Sequence, residues 1–199
     1  AHKVASLPYD VMNTAEAKEM AKGNPYSFLH VSRAEIDLAE NIDIHSPEVY
    51  AKARQNFDTL IADKTLVQDA TPCYYVYALT MQSRVQNGLV ACSSIDDYFN
   101  DVIKKHEFTR PEKELDRIEH MRAVEAHVGP IFLTYPSHSK IDSLIAAAKT
   151  QTPVYDFVAE DGIKHQVWMI DNADTVAEIQ MLFNDEVAAT YIADGHHRT

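Results

Sequence analysis

Residues 73–95, CYYVYALTMQSRVQNGLVACSSI, contain two runs that are rich in aromatic and β-branched residues. Such residues favour a pleated, half-buried surface, so this stretch predicts two β-strands joined as a hairpin. The turn falls either at Gln82–Ser83, which gives better-matched strand lengths, or at Asn87–Gly88, which has the stronger turn chemistry. Either alternative predicts an antiparallel pair of strands.

A second hairpin is predicted for residues 154–170, VYDFVAEDGIKHQVWMI, because Asp161–Gly162 separates two alternating runs. Residues 142–149, DSLIAAAK, and 173–184, ADTVAEIQMLFN, predict helices, and residues 189–194, ATYIAD, predict a last strand. Hairpins mixed with helices favour an α+β fold over a doubly wound parallel sheet. We therefore expect mixed or antiparallel sheets with flanking helices.

Two further helices are predicted in the amino-terminal third of the chain. The first begins at a cap formed by Asn13 or Thr14 and stops at Gly23-Asn24-Pro25. The second has Ser46 as its cap and Pro47 at its first helical position. Its apolar face is expected to contain Val49, Ala53, Phe57, Leu60 and Ile61.

Length and composition limit the class of protein. The chain has 199 residues, 46% of them hydrophobic, which suits one large domain or two small ones, and no internal boundary is marked. The net charge of −12 disfavours nucleic acid as a partner, because binding to phosphate backbones needs clustered Lys and Arg. The chain begins without Met and stops after a charged motif, so we expect residues 1–199 to be the amino-terminal part of a longer protein.

Several features are expected to be absent. We expect no membrane span and no secretory signal, since the sequence lacks a long apolar run, and a cytoplasmic location is the default expectation. Cys73 and Cys92 lack Cys-x-x-Cys spacing, so we expect two small buried thiols and neither a disulfide nor a zinc site. The P-loop, Rossmann and hydrolase-elbow motifs are also missing.

Residues 191–199, YIADGHHRT, predict a strand followed by a polar turn. Gly195 permits a tight exit, and the free amides of a following helix would point back at the turn, where a phosphate fits. The side chains of 196–198 would add donors, and Asp194 at the strand end could hold a metal ion or a substrate hydroxyl. The alternative is a polar strand-to-helix turn with solvent-facing histidines.

Residues 104–124, KKHEFTRPEKELDRIEHMRAV, predict a helix. Thr109 and Glu112 are expected to form a capping box, with Pro111 in the first turn. The buried stripe is expected to contain Leu115, Ile118, Met121 and Val124.

Two pairs in the same segment are not explained by the helix. His106–Glu107 is either a general base or an ordinary surface pair. Glu112 and Asp116 lie one turn apart and form either a solvated acidic face or a site for a positive partner. The candidate partners are Arg117, His120 and a bound cation.

Two Pro-Tyr turns lie near the amino terminus, in LPYDV (7–11) and NPYSFLHV (24–31). Proline fixes the backbone and tyrosine is rigid, so these turns either shape a pocket or simply pack. The first turn ends in Asp10, and the second carries Ser27 and His30. We expect His30 to be a hydrogen-bonded core histidine.

Four stretches together resemble one known family. They are VASLPYDV (4–11), GNPYSFLHV (23–31), IKKHEFTRPEKELDRIEHM (103–121) and YIADGHHRT (191–199). In this order they are similar to the bacterial and archaeal family called "domain of unknown function 1015", whose members are sometimes labelled ParB-like. The resemblance covers essentially the whole chain, and the family name conveys no activity.

A more distant similarity implies an activity. His106–Glu107 followed by a helix, and the 194–198 motif after a strand, resemble the paired motifs of the ParB and sulfiredoxin superfamily, especially its free-serine kinases. The resemblance implies a ParB/sulfiredoxin-like element at the carboxyl end and a role for Glu107 as base or orienter of the serine hydroxyl. Sulfiredoxin chemistry itself is not implied, because Gly195 and His196 stand where it requires a cysteine.

The same similarity implies the site residues. Catalysis is assigned to Glu107 and Asp194, and Mg²⁺ to Asp194. Nucleotide phosphates are assigned to the turn residues Gly195, His196, His197, Arg198 and Thr199. The predicted substrate pocket contains Tyr9, Asp10, Ser27, His106 and Arg110.

We therefore expect a nucleotide-dependent phosphotransferase that acts on a small hydroxyl compound such as free serine, with ATP or ADP and Mg²⁺. A different class of function is a ParB-like nucleotide-binding module that regulates or binds a partner without phosphoryl transfer. A third is a nucleotide hydrolase. A homo-oligomer is possible in each case, and no membrane partner is expected.

Overall fold

Helices and two β-sheets are mixed along the chain in the predicted α+β arrangement. The computed structural model describes residues 1–105 and 108–198. The helices are α1 (Thr14–Ala21), α2 (Leu29–Ser32), α3 (Pro47–Ala62), α4 (Ile95–Phe99), α5 (Pro111–Val124), α6 (Ser139–Ala148) and α7 (Ala173–Glu186). The strands are β1 (Tyr74–Met81), β2 (Arg84–Val90), β3 (Ile103–Lys104), β4 (Phe132–Thr134), β5 (Tyr155–Val158), β6 (Lys164–Ile170) and β7 (Thr190–Asp194). No helix in these ranges is long and apolar enough to cross a membrane.

Both predicted hairpins are confirmed, and they form one antiparallel sheet in the order β2-β1-β6-β5. The first hairpin turns at Gln82–Ser83, since Met81 pairs with Arg84. Gln82 adopts a left-handed backbone with φ of 54°. The second hairpin turns at Gly162, whose φ of 79° suits glycine.

One face of this sheet forms the larger core. Successive strand residues point to opposite faces, so Val76 and Ala78 of β1 face the same side as Trp168 and Ile170 of β6. They pack against α6 and α7 through Ile141, Ile145, Ile179 and Leu182. The indole Nε1 of Trp168 donates to the carbonyl of Gln151 at 2.9 Å, which satisfies the polar atom of this buried ring.

A second, mixed sheet has the order β3-β7-β4. Strand β7 runs parallel to β3 and antiparallel to β4, and Asp194 at its end pairs with Phe132. This sheet carries the predicted last strand, which is confirmed, to the polar turn that follows it. Beyond this arrangement, the predicted ParB/sulfiredoxin-like character of the carboxyl end stays a prediction.

The amino-terminal helices follow their sequence signals closely. Asn13 caps α1 in a reciprocal capping box with Glu16, and Pro47 occupies the first position of α3. Val49, Ala53 and Leu60 are buried as predicted and Phe57 is partly buried, but Ile61 is 48% exposed, so its placement on the buried face was wrong. Each residue of an α-helix is turned by about 100° from the one before it, so Ile61 points away from the side on which Leu60 is buried.

Helix α5 differs from its prediction at both its start and its buried face. Arg110, rather than Thr109, is the N-cap residue, and the Thr109 hydroxyl donates to Glu114, so the predicted capping box is wrong. Leu115 is 58% exposed, whereas His120 and Val124 are buried.

The physical reason is that α5 packs with polar side chains against α3. The Tyr50 hydroxyl of α3 donates to the Asp116 carboxylate at 2.9 Å. The inward face therefore follows Asp116, His120 and Val124, spaced four residues apart, and the apolar stripe is rotated towards solvent, which leaves Ile118 and Met121 half-buried.

The two cysteines are free, and one prediction about them was wrong. Cys73 is half-buried, but Cys92 is exposed. Cys92 follows the end of β2, which is an edge strand of the sheet, so no neighbouring strand covers it.

The buried His120 predicts a pH dependence of stability. Burial lowers the pKa of His120, whose Nε2 donates to the Val31 carbonyl at 2.9 Å, with Arg117 opposing protonation and Asp116 and Glu35 favouring it. A depressed pKa means that stability is complete above the unfolded value of about 6.5 and falls as the pH drops below it. His120→Gln keeps a donor for Val31 but does not titrate. Chemical denaturation at about pH 7.5 and about pH 5.5 should show a larger loss in the wild type than in this variant. Equal losses would contradict the assignment.

Candidate functional site

A cavity of about 270 Å³ lies where the amino-terminal turn, the start of α5 and the turn after β7 meet. Its lining residues are Asp10, Phe108, Arg110, Lys113, His196 and His197. The structure thus brings together four of the predicted site residues from three distant parts of the sequence. Phe108 and Lys113 were not predicted.

The turn Tyr9–Val11 forms the amino-terminal wall of the cavity, and an ion pair between Arg33 and Glu35 supports it. Asp10 belongs to a 3-10 turn, Tyr9–Val11, and Arg33 donates from Nη1 to the carbonyls of Tyr9 and Met12 at 2.8 and 2.9 Å. The Arg33 Nε donates to the buried carboxylate of Glu35 at 2.7 Å, and the Arg33 side chain is 13% exposed. Because the guanidinium satisfies two main-chain oxygens at once, it fixes the position of the Tyr9–Asp10 backbone.

The opposite wall is the turn after β7. Gly195 has φ of 84°, which lets the chain leave the strand sharply, and 196–198 form a 3-10 turn in which Arg198 N donates to Gly195 O at 2.8 Å. His197 Nδ1 accepts a hydrogen bond from the backbone N–H of Arg110 at 3.3 Å. Since Nδ1 accepts, a neutral His197 carries its proton on Nε2. This contact joins the turn to the start of α5.

Arg198 is seated beneath the turn rather than projecting into solvent. Its side chain is only 10% exposed, and its guanidinium lies 3.5 Å from the carboxylate of Asp10 and 3.3 Å from that of Asp194. Its Nε is buried and has no hydrogen-bond partner among the described residues. The Arg198 guanidinium thus links the turn after β7 to the amino-terminal turn that contains Asp10.

Two glycines make room for Arg198. A Cβ atom added to Gly129 would lie 2.8 Å from Arg198 Cδ, and one added to Gly195 would lie 2.7 Å from Nη2. Real Cβ atoms do not approach other atoms so closely, so any side chain at either position would displace the arginine. Gly195 therefore serves both the backbone turn and the seat of Arg198.

A second arginine stacks on the tyrosine of the amino-terminal turn. Arg117 lies 3.8 Å above the Tyr9 ring centre, and Arg198 lies at 6.0 Å from the same centre. Arg117 Nε in turn donates to Asp116 at 2.9 Å, which confirms it as the positive partner expected for that carboxylate.

Asp116 is a half-buried carboxylate that accepts hydrogen bonds from His45, Tyr50 and Arg117. Burial acts to raise its pKa, but the charge of Arg117 and hydrogen bonds from Arg117, His45 and Tyr50 outweigh burial and hold the pKa below its usual value. Burial and the bond to Asp116 raise the pKa of the Tyr50 hydroxyl, which stays protonated. Asp116 therefore supports the wall of the cavity and is not a solvated acidic residue, whereas Glu112 is exposed.

The cavity is locally basic within an acidic protein. Arg110 and Lys113 lie in the first turn of α5, and no ion pair to either side chain is found among the described residues. The N-cap residue Arg110 makes no side-chain capping bond, and the positive amino-terminal end of α5 lies at this region. Asp10 is the single acidic side chain of the described lining. The arrangement suits an anionic ligand.

The remaining predicted residues lie elsewhere or outside the described ranges. Ser27 is buried at the start of α2, where its Oγ accepts from the Leu29 amide at 3.4 Å, and it is not part of the described lining. Asp194 is 74% exposed beside the cavity. His106, Glu107 and Thr199 lie outside the described residues, so the roles predicted for them stay predictions.

His30 is confirmed as a hydrogen-bonded, half-buried histidine. Its Nδ1 lies 2.9 Å from a carboxylate oxygen of Asp37, and its Nε2 lies 3.1 Å from the carbonyl of Asn24. Both ring nitrogens thus have partners within the amino-terminal helices, which leaves no open position for a ligand.

A larger cavity of about 480 Å³ lies between β2 and α6. Its lining comprises Asn87, Tyr135, Asp142, Ile145, Ala146 and Lys149. The charged groups there are already paired: Lys149 donates to Asn87 at 2.6 Å and Asp142 accepts from Ser137 at 3.0 Å. By size, this cavity is the better candidate for a ligand site, but by charge and available hydrogen-bond donors the smaller cavity is the better one.

The seat of Arg198 gives a matched pair of variants. Gly195→Ala and Gly162→Ala both force alanine into a left-handed backbone, at about 1–2 kcal/mol each. Only Gly195→Ala also displaces Arg198, because open space surrounds Gly162. We expect Gly195→Ala to lose at least about 1 kcal/mol more and to shift the Arg198 Nε–H resonance in side-chain NMR spectra. An unshifted Arg198 resonance would contradict the proposed packing.

Comparison with known proteins supports membership of a family. A family model described as "Protein of unknown function (DUF1015)" matches residues 1–199. No curated protein and no solved structure matches the chain. The family description states no activity, cofactor or partner. The match extends over all 199 residues, and the chain belongs to the DUF1015 family.

Proposed function

We propose that this chain carries a nucleotide-dependent phosphotransferase site for a small hydroxyl compound, with free serine as the leading substrate. The observation that carries the proposal is the convergence of Arg110, Lys113, His196 and His197 on one cavity at the start of α5. The chain has a net charge of −12, yet an arginine, a lysine and two histidines meet at this cavity.

Phosphoryl transfer mainly requires positioned charge. Its transition state spreads negative charge over the equatorial oxygens, and fixed donors stabilise that charge without reorganising. Arg110 and Lys113 supply charge-assisted donors, and the start of α5 adds the positive end of its dipole. His197, joined to the Arg110 amide, supplies a donor at Nε2. Arg198 keeps the histidine turn in place.

The substrate side of the cavity is assigned to carboxylates. Asp10 is the acidic residue of the described lining, and its carboxylate suits the ammonium group of an amino acid substrate. Glu107 is proposed to orient and deprotonate the hydroxyl, as the resemblance to free-serine kinases implies. Support comes from the next residue along the chain, Phe108, which lines the same cavity.

A magnesium ion fits this site only in part. Among the described residues, no group of three or more His, Cys, Asp or Glu side chains is arranged to hold a metal. Mg²⁺ commonly binds through one or two carboxylates together with substrate phosphates, and the exposed Asp194 suits one such contact. When bound, the ion would neutralise phosphate charge.

A nucleotide-binding module without phosphoryl transfer is the second candidate. One observation favours it: Asp10 and Asp194 both lie within 3.5 Å of Arg198, so both carboxylates near the turn already have a cationic neighbour. Such a site would bind a nucleotide without transferring its phosphoryl group. Turnover measurements distinguish the two candidates.

The cationic lining gives the first test. Arg110→Ala and Lys113→Ala should each weaken ATP or ADP binding by about 1.5–3 kcal/mol, because each removes a charge-assisted hydrogen bond to phosphate. Lys140→Ala is the matched control, since Lys140 is an exposed lysine on α6 paired with Glu186. Isothermal titration of all three variants measures the effect. Equal affinity in the wild type and both cavity variants would remove the proposal.

Turnover gives the second test. Full-length protein incubated with labelled ATP or ADP, Mg²⁺ and a panel of hydroxy amino acids should yield a phosphorylated amino acid. Glu107→Gln should lower its formation by about 100-fold or more while nucleotide affinity stays nearly intact. Glu112→Gln, at an exposed position of α5, is the control. Binding without any product would favour the module, and release of inorganic phosphate alone would indicate a hydrolase.

A further inference from the structure

The fully exposed ring of Phe108 stands at the edge of the basic cavity. Its side chain is 100% exposed, and it lines the cavity together with Arg110, Lys113 and the two histidines. Single exposed apolar residues are ordinary on protein surfaces. An aromatic ring beside a group of cations is more specific, because the two together match a ligand that is both anionic and flat.

Phe108 and Arg110 line the same cavity from positions two residues apart. Arg110 has extended dihedral angles, φ −91° and ψ 121°, just before α5 begins. In extended chain, side chains two residues apart point the same way and are separated by about 7 Å. Both side chains line the cavity, in agreement with this geometry. A ligand whose anionic group meets Arg110 therefore has its next portion near Phe108.

The size of the cavity decides which portion that is. At about 270 Å³, it lies below the roughly 300–1,000 Å³ typical of pockets that enclose a drug-sized ligand. This size suits phosphate groups better than a whole nucleotide, which leaves the base at the rim. Phe108 offers an uncovered aromatic face at that rim.

We propose that Phe108 is the stacking platform for the nucleobase of the bound nucleotide. The inference rests on the proposed function and adds the residue that distinguishes a nucleotide from a simple phosphate. Phenylalanine has no hydrogen-bonding group, and stacking tolerates every base because each has a π-face. This contact therefore favours nucleotides over base-free phosphates and discriminates little between adenine and guanine.

The test compares ATP, GTP and inorganic tripolyphosphate by isothermal titration with full-length protein in the presence of Mg²⁺. Phe108→Ala should weaken ATP and GTP binding by about 10-fold or more, within the range that base stacking on aromatic side chains supplies. Tripolyphosphate binding should change less than about twofold, because it has no base to stack. Phe108→Tyr should restore nucleotide affinity. Phe99→Ala is the control, since Phe99 is 73% exposed and is not part of the described lining.

Each other outcome overturns a distinct claim. If Phe108→Ala leaves ATP affinity unchanged while the wild type binds tripolyphosphate, the stacking role is wrong and the phosphate site stands. If Phe108→Ala weakens tripolyphosphate as much as ATP, Phe108 supports the cavity wall instead of a base, which also overturns the inference. If the wild type binds none of the three probes, both the inference and the proposed function fail.

Discussion

The seating of Arg198 against Gly129 and Gly195 is the constraint on which the candidate site depends. Its guanidinium reaches Asp10 near one terminus and Asp194 near the other, and it can do so only because neither glycine has a Cβ. The distances of 3.5 and 3.3 Å exceed the 2.7–2.9 Å typical of charge-assisted bonds, so the arginine holds the carboxylates together without tight pairing. Without it, the two walls of the cavity would lack a common support.

The amino-terminal wall is fixed from two further directions. Arg33 binds the carbonyl oxygens of Tyr9 and Met12 from the interior, and Arg117 stacks on the Tyr9 ring from α5. Each of these arginines is paired with its own carboxylate, Glu35 or Asp116, so neither is a spare charge for a ligand. Within residues 1–105 and 108–198, no ion pair is found to Arg110 or Lys113 at the start of α5. The arginines that support the wall are therefore different residues from Arg110 and Lys113, which line the cavity.

Local signals predicted much of the fold, and tertiary contacts decided what they missed. The Asp161–Gly162 turn and the Asn13 cap are determined by neighbouring residues, so the sequence was sufficient. The turn of the first hairpin was undecided because it depends on register. Pairing Met81 with Arg84 lets Tyr75–Met81 of β1 pair with β2, at the cost of a left-handed Gln82. The buried face of α5 depends on Tyr50, a residue of another helix, and no periodicity within α5 contains that information.

The same distinction applies to the candidate site. Its histidines and Asp10 stand in unusual polar turns, which is a visible signal, and the structure brings them to one cavity. Lys113 was missed because a lysine in the first turn of a helix has the pattern of an ordinary solvated residue. Gly129 was missed because its role is to leave space for an arginine far along the chain. A sequence pattern can mark groups that act, but the residues that make room for them are defined only by the packing.

The overall acidity of the chain does not oppose an anion site of this kind. At physiological ionic strength, charges farther apart than about 8 Å are largely screened, so most of the acidic surface contributes little to the potential inside the cavity. The groups at contact distance decide the potential that a phosphate would experience in the cavity. They are Arg110, Lys113, the two histidines and the start of α5, with Asp10 as the one carboxylate of the described lining. Distant negative charge still lowers the affinity for anions that only pass along the surface. A local group of cations at the start of α5 is therefore compatible with the net negative charge of the chain.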